Sequence, residues 1–457
     1  MAGLARRDRA DARTAGGGEV LIRRLYSLLM RLAEPFVRSR LKRRGALEPG
    51  YLLAMDERFG HYSTPSQAMA GCVWIHAVSL GETRAAAILI DALRTRLPNM
   101  RLLLTHGTAT GREEGARLLR PGDLQAWQPW DTPESVARFL THFQPRIGIL
   151  METEVWPNLV ATCKAMSVPL VLVNARMSGK SLSASLKLGW LSRPAYSALA
   201  GVWAQTQADA GRLWQLGASV QGVFGNIKFD VMPDAVLLDR GRRWRKNLRR
   251  PVVMLAVSRE GEEAQLIELL RGHYFATTPS QARVKDVQWM IVPRHPQRFG
   301  EVAALIEAAG FVVSRRSQWA DGPHQSADGA APTVWLGDSM GEMPLYYGLA
   351  DAALLGGSFE PLGGQNLIEA AACGCPVIMG PHTFNFAEAA SLANAAGAAQ
   401  RVTTLARAVI AACETVLDAQ ALSTSRQNAL AFAQAHRGSA SLLASAIDDL
   451  LKKSPPS

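Results

Sequence analysis

Short apolar runs rich in Val, Ile and Leu recur from residue 72 onward, separated by stretches long enough for a helix. That alternation leaves little choice but parallel sheets with crossover helices, because strands buried on both faces read as continuous apolar segments. The runs fall into two series. CVWIH (72–76), RLLLT (101–105), RIGILM (146–151), PLVLV (169–173), GVWAQ (201–205) and VQGVF (220–224) make the first. VVMLAV (252–257), QWMIVP (288–293), TVWLG (333–337), DAALL (351–355) and PVIM (376–379) make the second. Between them lies DRGRRWRKNLRR, Asp239 to Arg250, followed by Pro251. A chain of 457 residues exceeds what one core serves, so two α/β domains meeting near this basic stretch are expected. Its seven arginines and lysines read as a solvated helix face. The Ser/Gly/Ala/Pro-rich segment from Ser317 to Pro332 reads as a surface loop.

A net charge of +11 calls for an anionic partner: nucleic acid, a phosphorylated substrate or an acidic membrane surface. Against nucleic acid, the basic stretch has no interleaved aromatic residue apart from Trp244, and no nucleic-acid module is recognisable. The region Val20 to Gly45 has apolar residues at helical spacing, interrupted by Arg23, Arg24, Arg31 and Arg38. It is too charged for a spanning helix. With Leu25, Leu28, Leu29, Leu32 and Phe36 on one side, it suits the surface of an anionic bilayer. An ordinary helix covering the first core would show the same spacing. Cys72, Cys163, Cys373, Cys375 and Cys413 are odd in number and lack C-x-x-C spacing, so reduced core residues are expected. No metal-ligand spacing stands out either.

In open α/β sheets ligands bind beyond the carboxyl ends of the strands, so polar motifs directly after strands matter most. HAVSLGETRAA (76–86) contains Ser79-x-x-Glu82, which spacing alone reads as a capping box and chemistry reads as a general base. METEVWPNL (151–159) places Glu152 and Glu154 after an apolar run, on one side if the strand continues. Solvation of a turn and binding of an acceptor fit that pair equally. Lys228 in GNIKFD (225–230) could neutralise a phosphate or simply face water.

In the second series, VSREGEE (257–263), VPRHP (292–296), GDSMGEMPLYY (337–347) and GGSFEPLGGQNLIEAAACGCPVIMGP (356–381) follow successive runs. Arg294 and His295 can bind phosphate, and Ser339-x-x-Glu342 again admits a cap. Gly363 and Gly364 let backbone N–H groups approach an anion, while Asn366 and Glu369, three apart, share a helix face suited to ribose hydroxyls.

Taken in order, HAVSLGETRAA, METEVWPNL, NARMS (174–178), GNIKFD, REGEE, VPRHPQRF, GDSMGEM and GGQNLIEAAACGCPVIMGPHTFNF resemble the bacterial 3-deoxy-D-manno-octulosonic acid (Kdo) transferases of lipopolysaccharide assembly. The resemblance covers nearly the whole chain. It implies an α/β GT-B architecture, two Rossmann-like domains facing across a cleft. CMP-Kdo would be the donor and lipid A precursor (lipid IVA) the acceptor, with inversion at the anomeric carbon. Location at the cytoplasmic face of the inner membrane is implied too, with no cofactor, no metal and no nucleic acid. Carried over by residue, it makes Glu82 the base, with Glu152 and Lys228 supporting charge in the transition state. It gives CMP to Pro293 and Arg294, to Met340, Gly341 and Glu342, and to Asn366, Leu367, Ile368 and Glu369. Arg259, Gln365 and Leu367 depart from the His, His and Pro common in the family.

The expected division is a disordered tail over 1–18, a membrane-associating helix over 19–45, an acceptor domain over 46–235 and a linker over 236–250. A CMP-Kdo domain over 251–438 and a C-terminal helix and tail over 439–457 complete it. A UDP-sugar transferase on the same fold is the competing enzyme reading. A non-catalytic nucleic-acid binder is the competing reading from another class, and a steep salt dependence of binding would mark it.

Overall fold

The computed structural model describes residues 4–275, 283–323 and 331–453, with side chains from Val20 onward. The chain divides into two compact units, Met1–Asp230 with Gly438–Ser457, and Val231–Arg437.

In the first unit, β1 (Val73–His76), β2 (Leu102–His106), β3 (Leu124–Trp127), β4 (Ile147–Met151), β5 (Leu170–Ala175), β6 (Gly201–Ala204) and β7 (Val220–Val223) form one parallel sheet. Its order is β3-β2-β1-β4-β5-β6-β7. In the second, β8 (Val252–Ser258), β9 (Gln288–Pro293), β10 (Val312–Arg315), β11 (Thr333–Leu336), β12 (Ala352–Leu355), β13 (Val377–Met379) and β14 (Ala399–Arg401) do the same. There the order is β10-β11-β9-β8-β12-β13-β14. Each order reverses direction once, between β1 and β4 and between β8 and β12. Such a switch point splays the two outgoing loops apart and opens a crevice at the carboxyl edge.

The expected runs all lie on strands, whereas β3, β10 and β14 have no counterpart among them. All three are sheet edges. An edge strand is partly solvated, as the exposed second and third residues of β14 show, so its sequence lacks the continuous apolar run.

Both faces of the first sheet are covered. Trp74, Phe139, Leu150 and Leu172 pack on one side, and Ile75, Leu89, Ile149 and Val173 on the other. The C-terminal helix Ser439–Lys453 closes that second side through Leu443, Ala444, Ile447 and Leu451. The second unit is built on Val253, Leu255, Trp289, Ile291 and Leu354. All five cysteines are free and buried.

Three expectations need correction. The stretch read as a linker, 236–250, contains the helix Ala235–Lys246, which belongs to the second unit. Asp234 caps it by accepting from Val236 and Leu237 N–H at 2.9 and 3.0 Å. A Cβ on Gly241 would lie 2.1 Å from the Leu345 carbonyl, so the basic face is the outside of a tightly packed helix pair. Second, the described part of the loop 317–332 is no bare surface turn, because Trp319 is buried edge-on against Trp244 and Trp335.

The third concerns the N-terminal helix, which runs Leu4–Leu47 where a tail over 1–18 and a helix over 19–45 were expected; of the two readings of its apolar face, it does not follow the one that lays that face on the core. It docks by polar groups instead. Tyr26 donates to Asp131 at 2.9 Å, Ser27 to Asn158 at 2.9 Å, and Trp130 to the Met30 carbonyl at 2.9 Å. Leu21, Leu25, Leu28, Leu29, Leu32 and Phe36 are left 47–69% exposed. Of the expected tail over 1–18, residues 1–3 lie outside the described residues and the rest belongs to this helix.

Candidate active site

At the first switch point, the loop after β1 starts the helix Leu80–Arg96. Ser79 caps it, receiving the Glu82 N–H at 3.4 Å, while the Glu82 carboxylate accepts from Val78 N–H at 2.9 Å and the Ser79 hydroxyl at 3.0 Å. The capping geometry is therefore present. It coexists with a shifted carboxyl: burial, and then repulsion from Glu152 and Glu154, outweigh those hydrogen bonds and raise Glu82 to about 7. A carboxyl near neutral can both hold a helix start and take up a proton.

Across the switch, β4 ends at Met151 and does not continue, because Glu152 turns into the left-handed region at φ 57. The alternation expected for Glu152 and Glu154 is thereby broken. Glu154 accepts from the Trp156 indole at 2.9 Å. Glu152 is buried, and its Oε1 meets Lys228 Nζ at 2.8 Å. Lys228 is thus a partly buried ion-pair partner rather than a free cation facing water or a lone phosphate binder. It comes from the short turn Ile227–Asp230 after β7. Asn174, at φ 51 near the end of β5, places that turn by accepting from Ile227 N–H at 3.0 Å. Asp230 accepts from the backbone N–H of Gly438 and Ala440, tying it to the C-terminal helix. Glu82, Glu152 and Lys228, distant in sequence, stand together at one sheet edge. Asn174 went unrecognised as a support, although an Asn ending an apolar strand is a fair signal for a left-handed turn. His76, first in its motif, is buried on β1 and held neutral, pushed down to about 3 chiefly by burial.

In the second unit the expected nucleotide residues follow β9, β11 and β12, near neighbours in the sheet. Pro293 ends β9, and Arg294 donates its backbone N–H to Ser258 O at 3.1 Å and its side chain to Gln365 Oε1. Met340 is exposed beside Gly341, whose φ of 77 needs a glycine. Glu342 is not the reaching arm of a capping box. It occupies the N-cap position itself, and its carboxylate accepts from Arg316 at 2.8 Å and from Ser339. Arg316 lies 5.1 Å over the Trp244 ring, and nothing in its sequence neighbourhood marked it. Asn366 does cap a helix, accepting from Ile368 N–H at 3.0 Å. Leu367 and Ile368 are buried, so only Glu369 of that stretch offers a side chain beyond the cap.

Two doubly wound parallel sheets, each with its polar loops gathered at a switch point, make the two-domain α/β architecture of the GT-B class. The fold alone is shared with solved proteins such as the MurG of Acinetobacter baumannii, 13% identical, where 84% of this chain covers all of that one at a TM-score of 0.50. In sequence, residues 54–231 match the family described as 3-deoxy-D-manno-octulosonic-acid transferase (kdotransferase). The 3-deoxy-D-manno-octulosonic acid transferase of Bordetella pertussis is 44% identical over 94% of this chain and 99% of its own length. That of Haemophilus influenzae is 32% identical over 79% and 83%. The chain belongs to the Kdo transferase family.

Proposed function

We propose that this Kdo transferase takes its sugar from CMP-Kdo and attaches it to lipid IVA with inversion at the anomeric carbon. The observation that carries the reading is Glu82, a carboxyl raised to about 7 at the first switch point beside the Glu152–Lys228 pair. An acceptor hydroxyl loses its proton to Glu82 as its oxygen forms the bond to the anomeric carbon. The bond from that carbon to phosphate breaks, and CMP leaves with the electron pair. Lys228 and Glu152 balance charge beside the reacting hydroxyl. In the second unit Pro293, Arg294, the Met340–Glu342 turn and Asn366–Glu369 hold CMP, with Arg294 meeting the growing negative charge on phosphate. The proposed step uses no cofactor and no metal, since side chains and backbone N–H groups supply the counter-charge.

The acceptor is a lipid, and the exposed stripe on the N-terminal helix supports work at the cytoplasmic face of the inner membrane. Among the described residues no helix is long and apolar enough to cross a membrane. The stripe from Leu21 to Phe36 has exposed Arg23, Arg24, Arg40, Lys42 and Arg43 around it, which suits a helix lying on anionic lipid. Incubating the full chain with CMP-Kdo and lipid IVA and weighing the product by mass spectrometry tests donor, acceptor and number of sugars together. Transfer from UDP-sugars but not from CMP-Kdo refutes the donor. Co-sedimentation with vesicles of anionic lipid, lost in Leu25→Glu/Leu29→Glu, tests the membrane contact.

A further inference from the structure

One cation at the second switch point is used neither by the expected nucleotide residues nor by the core. Arg259 stands immediately after β8. The backbone reaches it through Val257, whose φ of 56 puts a β-branched residue in the left-handed region. Such a strained conformation persists where the surroundings over-determine it, commonly at ligand clamps. The kink coincides with a register shift between Ala256 and Ser258 in the pairing of β8 with β9, so the chain is re-aimed at this point.

Glu262 then fixes the segment against the loop after β12. It is fully buried, accepts from Arg259 N–H at 3.0 Å, and accepts Gly357 N–H with both oxygens at 2.8 Å. Gly357 has φ 70, and a Cβ there would lie 3.2 Å from Gln365 Nε2 and 3.6 Å from Arg259 Cγ. Gln365 also accepts from Arg294. Arg259, Gln365 and Arg294 thus form an arc around bare glycine backbone.

Within this arc it is Arg259 whose charge no described ion pair balances. Arg298 is paired with Glu263 and Glu301, whereas among the described residues no acidic side chain forms an ion pair with Arg259. Glu262 already uses both oxygens on backbone N–H groups. His295 is held below its ordinary value by burial and then by Arg294, Arg259 and Arg298, as expected of a cationic neighbourhood.

We propose that Arg259, with the Gln365 amide beside it, is a specificity-determining contact for the carboxylate of the donor's sugar. The inference rests on the reading of CMP-Kdo as donor. Such a donor carries two anions, a phosphodiester and a sugar-acid carboxylate. Arg294 and the Gly363–Gly364 turn serve the first, and a second anion needs a second cation. A guanidinium matches a carboxylate with two parallel hydrogen bonds. A neutral sugar would leave Arg259 desolvated without a partner, and that penalty selects against it.

The test measures transfer by the full-length wild type, Arg259→Met and Arg259→Lys, each with CMP-Kdo and with its carboxylate methyl ester, using free CMP as competitor. The ester should cost wild type about thirtyfold in kcat/KM, the worth of a charge-assisted pair. Arg259→Met should lose about as much on CMP-Kdo and nothing further on the ester, with Arg259→Lys between. The Ki of CMP should stay within about twofold throughout, which also shows that the variants are folded; should Met fail this, Lys carries the same comparison. A CMP Ki weakened as much as the KM of CMP-Kdo assigns Arg259 to the phosphate and overturns the inference, as does an undiminished ester penalty in the variants. A wild type that uses UDP-sugars but not CMP-Kdo refutes the donor reading itself.

Discussion

The two units share one topology and carry opposite charge at the same place in it. At the β1/β4 switch the loops bring Glu82, Glu152 and Glu154, with Lys228 as counter-charge, while at the β8/β12 switch they bring Arg259 and Arg294 with His295 beside them. Each switch also has a non-glycine residue in the left-handed region, Glu152 at φ 57 and Val257 at φ 56. The sheet thus decides where a site can open, and a few loop residues decide what it attracts. An acidic edge suits removal of a proton from a hydroxyl. A basic edge suits a phosphate.

The largest test of this contrast removes the proposed base. Glu82→Gln keeps size and capping capacity, so folding judged by circular dichroism should be retained while kcat falls about a thousandfold, within the range for lost general-base catalysis. Near-normal turnover would erase the chemical distinction between the two edges. Next in size, Lys228→Met leaves Glu152 buried without a partner. It should lower stability to denaturant by about 2 kcal/mol, less than the ~3–5 kcal/mol of a fully buried broken pair because Lys228 is 28% exposed. Lys228→Met/Glu152→Gln should recover most of that loss.

On the basic side, Arg316→Met removes the ion pair that orients Glu342 and should weaken CMP inhibition about fivefold, with no change in the pH profile. An unchanged Ki would take Glu342 out of the donor seat. The smallest effect is a shift in pH. If Glu82 is the base, as proposed, it must be deprotonated to act, and kcat/KM should rise with pH and level off above about 7. Glu152→Gln takes away one of the negative neighbours that disfavour ionisation, so the inflection should move down, by less than about one unit. A move upward would mean that the like-charge pairing at the first edge is misread.

Ten interior strands, the edge strand β7 and the positions of the polar motifs were legible, the ten because a parallel strand buried on both faces needs an unbroken apolar run. Their partners at the edges, β3, β10 and β14, were not, since half-solvated strands resemble loops. The S-x-x-E motif shows the same limit inside a site. Ser79 and Glu82 form a cap, while Ser339 and Glu342, with identical spacing, serve an ion pair with Arg316. Local spacing cannot tell them apart, because the partner that decides is 26 residues away.

Sequence by itself determined that this chain builds two parallel α/β sheets, and its ordered motifs determined its family. Periodicity and motif order are properties of contiguous residues, and they survive without coordinates. Tertiary structure alone decided that the basic stretch 236–250 includes an integral helix, that the N-terminal helix turns its leucines outward, and that Lys228 neutralises Glu152. It also decided that Glu82 titrates near neutrality. Each of these depends on burial and on charges brought together through space, and neither quantity is fixed by neighbours along the chain.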